Sequence, residues 1–181
     1  MAGLRIVPLY FAAQLDLLEH LRARLARIFG LPTALHAATF DPETTFDASR
    51  GQYNSTALLA ALLAEPVPTD ERLLAVASVD LFIPVLTYVF GEAQLDGRAA
   101  VISTYRLRNE IYGLPADEGL LFGRCEKEAV HELGHTYGLL HCSEASCVML
   151  SSTYVGDIDL KSAQFCERCA ATLRRALRAR T

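Results

Sequence analysis

Residues 131–142 read HELGHTYGLLHC. His131 and His135 are four apart, so on a helix they sit one turn apart on one face. Two imidazoles so placed can hold one metal ion, and Glu132 completes the H-E-x-x-H arrangement. Gly138 follows three residues after His135. Glycine tolerates the left-handed backbone that ends a helix and turns the chain sharply. After such a turn His141 swings back as a third ligand. The stretch thus requires a helix that stops near Gly138 and a chain that doubles back.

Zinc takes nitrogen and sulfur ligands in tetrahedral geometry, and a catalytic zinc keeps one position for water. It would lower the pKa of that water from ~15.7 to about 7. Glu132 is then the natural general base, taking a proton as water attacks a carbonyl and passing it to the leaving amine. The competing reading is a helix that carries histidines by chance. Three of the five histidines fall at fixed spacing in this one run, which weighs against it. His20 and His36 are read as a helix-surface and a strand residue.

Four of the five cysteines, Cys142, Cys147, Cys166 and Cys169, lie in the last 40 residues. Two spaced thiol pairs from separate segments suit a closed four-cysteine structural zinc site. Such a site would stabilise the local fold directly. Disulfides and separate buried thiols are the alternatives. An odd cysteine count without a convincing secretion signal argues against a disulfide framework. LRIVPLYFAA, near the amino terminus, is a weak imitation of a signal peptide and reads better as a buried first strand. A cytoplasmic location is expected. Cys125 is read as a core thiol.

The chain has 181 residues, which suits one domain. Half of them, 51%, are apolar, enough for a sizeable core, and a net charge of −4 lacks the basic footprint of a nucleic-acid binder. No apolar run reaches the roughly 18 residues that suggest a membrane span. A monomer without nucleic-acid or membrane partners is expected.

Residues 4–10 read as a strand. Leu15, Leu18, Leu21, Leu25 and Ile28 recur at helical spacing between Ala12 and Phe29, with Arg22, Arg24 and Arg27 solvated among them. Gly30 and Pro32 end that helix. Residues 33–40 read as a strand, the polar 41–55 as a loop, and 56–65 as a helix capped by Asn54 or Ser55. Residues 72–84 read as a strand with a turn after it. Residues 85–107 read as a hairpin turning at Asp96-Gly97. A helix runs from after Pro115 into the histidine motif, and a last helix spans 161–180, its arginine-rich end suiting the helix dipole. The alternation predicts an α/β (α+β) fold, a mixed sheet with helices packed on it.

HELGHTYGLLHC, then SEASCVM, then FCERC, resembles the archaemetzincins, zinc metallopeptidases of the metzincin clan. The family pattern places a cysteine directly after the third histidine, a second cysteine after four residues, then a methionine, then C-x-x-C. Residues 79–93 are also similar to the family's N-terminal part. The resemblance implies a catalytic zinc on His131, His135 and His141, Glu132 as general base, and a structural zinc on Cys142, Cys147, Cys166 and Cys169. Met149 is implied as the turn methionine, an apolar floor beneath the histidines.

The implied fold is metzincin-like. Residues 1–138 would form an N-terminal subdomain with a twisted mixed sheet and the active-site helix. Residues 139–181 would form a small helical C-terminal subdomain with the methionine turn and the cysteine site. The implied partner is a peptide or protein substrate in the cleft between them. Apart from the resemblance, an exposed strand of the 85–107 hairpin is the expected edge for a substrate peptide added as a strand. A catalytically silent zinc protein that binds peptides in the same cleft is the alternative; retention of Glu132 favours the enzyme.

Overall fold

The computed structural model describes residues 3–11 and 15–179. The first residues of the expected helix, 12–14, lie outside that set. Eight strands and five helices follow in chain order: β1 (Leu4–Leu9), α1 (Leu15–Phe29), β2 (Thr33–Leu35), β3 (Phe46–Asp47), β4 (Gln52–Asn54), α2 (Ser55–Leu63), β5 (Arg72–Ala77), β6 (Leu81–Phe82), β7 (Gly91–Ala93), β8 (Ala99–Ser103), α3 (Glu118–Thr136), α4 (Val155–Leu160) and α5 (Glu167–Arg178).

The main sheet has the order β2-β1-β5-β8-β7. Its first four strands are parallel, with Leu4 opposite both Thr33 and Arg72, and Leu73 opposite Ala99. β7 joins antiparallel at the edge, Gly91 opposite Ile102. β5 and β8 are buried at every position, as expected of parallel strands covered on both faces. Their side chains alternate between two cores. Ile6, Leu74, Val76 and Ile102 pack with α1 and α3. Val7, Leu73, Ala75 and Val101 pack with Leu58, Leu59 and Leu62 of α2. Cys125 is a fully buried core thiol on α3.

Several elements differ from the pattern-based reading. The strand expected over 33–40 stops at Leu35, because the Thr39 N–H turns aside to the Glu65 carboxylate at 2.7 Å. His36 lies just past that strand, beside Glu65 at 3.1 Å. The polar 41–55 segment is not a plain loop: Pro42–Thr45 forms a 3-10 turn, and β3 and β4 make a second, three-stranded sheet with β6. The 72–84 strand therefore breaks after Ala77, and Leu81–Phe82 joins that second sheet. Residues 85–90 lie outside the hairpin strands; Arg50 takes the carbonyls of Leu86 and Thr87.

His20 and Arg24 are not simply solvated. Both reach across to Glu126 on α3, at 3.1 and 2.7 Å. The last helix begins at Glu167 rather than 161. Backbone groups of Ser162 and Gln164 pair with Ser146 and Val148, which holds that stretch extended. The short α4 carried no periodic signal. Among the described residues no helix is long and apolar enough to cross a membrane.

Candidate metal centre and active-site cleft

Asp117 caps α3 by accepting from the Leu120 N–H at 2.9 Å. The helix then runs through the first two histidines. At its end Gly138 adopts φ +80°. Its N–H donates to His135 O and the Leu139 N–H to Gly134 O, the paired bonds of a Schellman turn. That reversal brings His141 back over α3. The ring centroids of His131, His135 and His141 lie 4.7, 5.0 and 5.3 Å apart.

The ring nitrogens are oriented by the backbone. His131 Nδ1 donates to Val148 O at 2.8 Å, and His135 Nδ1 donates to Leu139 O at 2.7 Å. Each bond fixes the proton on Nδ1 and leaves a lone pair on Nε2. The two Nε2 atoms are 3.1 Å apart. Burial pushes the His131 pKa down to about 3 and lowers that of His135, so both rings are neutral. With His141, one ligand atom from each residue lies within 4.8 Å of the others. Neutral imidazoles with converging lone pairs and outward N–H groups fit a zinc ion.

Glu132 is buried against the edge strand beside this cluster. Burial raises its pKa well above the usual carboxylate value, with Glu128 and Glu92 adding to the shift and Lys161 opposing it. A dication at the histidines would pull the same way as Lys161. A cleft of about 490 Å³ opens here, lined by His131, Glu132 and His141, by Leu86–Gly91 above and by Ser151–Tyr154 below.

Met149 is fully buried beneath α3, where a Cβ added to Gly134 would meet its Sδ at 2.5 Å. The Cys142 N–H donates to Met149 O, which closes the 142–149 loop. Cys142, Cys147, Cys166 and Cys169 place their sulfurs within 4.8 Å of one another, and all are free thiols. Cys166 sits at the N-cap of α5, so Cys169 lies within its first turn. The Glu144 N–H is the main influence that lowers Cys142 to about 6; burial opposes it, while Arg168 and two neighbouring thiols assist. Four sulfurs at this separation suit a tetrahedral thiolate site.

All nine residues singled out as ligands, base or floor fall in or beside these two adjoining clusters. Other contributors escaped notice. Glu128 and Lys161 form a buried pair at 3.1 Å beside the cleft. Glu128 is one turn before Glu132, a spacing that carries the signal; Lys161 has none. Gly91 and the Asp80–Arg106 pair also lacked a motif.

The model of peptidase family M54 matches residues 20–175. An archaemetzincin from Methanocaldococcus jannaschii is 41% identical over 159 residues, 87% of this chain and 86% of that protein. The crystal structure of archaemetzincin from Methanopyrus kandleri superposes with a TM-score of 0.86 at 35% identity, covering 98% of this chain and 96% of the other. That of archaemetzincin from Archaeoglobus fulgidus, complexed with malonate, gives 0.79 at 37% identity over 95% and 99%. With the family matched along most of its length and a fold shared with the archaemetzincins, the chain belongs to peptidase family M54 and is a zinc metallopeptidase.

Proposed function

We propose that His131, His135 and His141 hold the catalytic zinc and that Glu132 is the general base for peptide-bond hydrolysis. The observation that carries this is the convergence of two neutral imidazole Nε2 atoms, 3.1 Å apart, beside a buried carboxylate. When bound, zinc supplies Lewis acidity toward a water and a substrate carbonyl. The chain's own groups do the rest. Val148 O and Leu139 O hold the ring protons on Nδ1. Glu132 accepts a proton from the attacking water and delivers it to the leaving amine. β7, at the sheet edge, offers backbone groups to an extended peptide.

Cys142, Cys147, Cys166 and Cys169 hold a second, structural zinc in this reading, and Met149 supports the histidines by packing. The division at Gly138 into two subdomains belongs to it as well, the cleft lying between them.

Zinc counting and peptide cleavage test it together. Two ions per chain, with cleavage abolished by Glu132→Gln, is the expected result. One ion per chain sinks the cysteine site. Two ions with bound but uncleaved peptides sink the hydrolytic role. Cys166→Ser with Cys169→Ser should remove one ion and lower thermal stability.

A further inference from the structure

The methionine turn has two separate ties to α3. Val148 O accepts from His131 Nδ1 at 2.8 Å, and two residues on Leu150 O accepts from Lys161 Nζ at 3.1 Å. Lys161, the residue that ends α4, turns the same ammonium on Glu128, 3.1 Å away. Glu128 lies three residues before His131, so both side chains leave one face of α3. The contacts close a ring: Glu128, Lys161, Leu150, Val148, His131, and back along the helix to Glu128. Slack anywhere in that ring reaches the His131 imidazole.

Lys161 is 1% exposed and Glu128 5%. Charges so buried lose their hydration, which offsets most of their attraction, so the pair is a weak source of net stability. What it supplies is a fixed span between helix and turn. Anchorage of α4 does not depend on it. Arg124 holds both Asp159 oxygens at 2.7 Å, and Lys127 donates to Ile158 O at 2.9 Å. Of these three cations Lys161 is the one that reaches the methionine turn. The lower wall of the cleft, Ser151–Tyr154, starts at the next residue.

We propose that Lys161 is a positioning residue: braced on Glu128, it holds Leu150 O and so keeps Val148 O where it aims the His131 ring. It acts through His131, from behind the cleft wall. The proposal rests on the three histidines being the catalytic zinc site. An ammonium suits the task, because its three donors on a compact head serve a carboxylate and a carbonyl at once. A methionine there would fill similar space without a donor and leave the turn free to drift.

The test compares the wild type with Lys161→Met combined with Glu128→Gln, which leaves no orphaned charge. Both are zinc-loaded full chains carrying isotope-labelled histidine. Exchange of the His131 Nδ1 proton with solvent, followed by NMR, reports how firmly Val148 O holds that ring. The His135 proton, held by Leu139 O outside the ring of contacts, is the internal control. In the variant, His131 exchange should rise about tenfold relative to His135, the scale of one lost hydrogen bond. On peptides that the wild type cleaves, kcat should fall about 10- to 100-fold, the usual cost of removing a group that orients a metal ligand. An unchanged exchange ratio overturns the proposal whatever the activity, and so does faster His131 exchange with kcat unchanged. A wild type that cleaves nothing sinks the hydrolytic reading, and the exchange ratio then decides the role of Lys161 by itself. Should the double variant fail to fold, Glu128→Gln alone, which keeps the shape and an acceptor oxygen, takes its place. A smaller rise in the same ratio is then expected, and no rise overturns the proposal.

Discussion

A Cβ placed on Gly91 would fall 2.7 Å from Cγ of Glu132 and 2.9 Å from its Oε1. The edge strand thus approaches the proposed general base so closely that only a glycine fits. Gly91→Ala should displace the carboxylate and lower kcat by about 100-fold, the scale of a 1 Å misplacement. Zinc content should stay at the wild-type value. Steady-state kinetics with metal analysis checks this; unchanged kcat would show that Glu132 needs no such clearance.

Gly134 has the same relation to Met149, whose Sδ lies 2.5 Å from the added Cβ. Alanine in a helix interior is ordinarily worth about 1 kcal/mol over glycine. Here overpacking costs about 1–3 kcal/mol, so Gly134→Ala should be net destabilising. Met149→Ala in the same chain should relieve it. A double-mutant cycle in urea should give coupling of about 1 kcal/mol or more; simple additivity would refute the close packing.

Asp80 organises the upper wall of the cleft. Arg106 pairs with it at 2.7 and 2.6 Å, and Gln52 donates to it at 2.9 Å. Gln52 also holds Thr87 O at 3.0 Å, and the Arg106 guanidinium lies 4.2 Å over the Tyr88 ring. Asp80→Ala should loosen residues 86–88, raising KM several-fold more than it lowers kcat. The stability loss should be about 1–3 kcal/mol. Equal effects on both kinetic constants would argue that the wall does not contact substrate.

Glu65 sets an acid limit. Burial pushes its pKa up, but the Thr39 N–H, His36 and the Thr39 hydroxyl outweigh burial and leave it below the usual carboxylate value. A depressed folded-state pKa contributes stability in full above the unfolded value of about 4.3, lost as pH falls through the folded value. Urea unfolding at pH 6, 5, 4 and 3 should show that loss below about pH 4.3. Glu65→Gln should be less stable at pH 6 and should flatten the decline. A parallel decline in both proteins would rule Glu65 out as a source.

The ligand clusters were legible because helical spacing and thiol pairing are local. His131 and His135 follow from a four-residue interval, and His141 from the turn that Gly138 permits. The amphipathic part of α1 was legible for the same reason, since Leu18, Leu21 and Leu25 are buried at that spacing. The second sheet was not, because β3, β4 and β6 are two or three residues long and depend on pairing with distant chain. Lys161 was unreadable too: its partners are Glu128 and Leu150 O, reached only through tertiary folding. Gly91 looks like any turn glycine until Glu132 is set against it.

The carbonyl that orients His131 belongs to Val148, seventeen residues further along, and the Val148 N–H is itself tied to Gln164 O. During synthesis the strands and α3 precede both. The histidines of α3 can therefore exist on the nascent chain before the backbone that fixes their protons. The acceptor that orients the His131 ring is therefore anchored by a residue made sixteen positions after it.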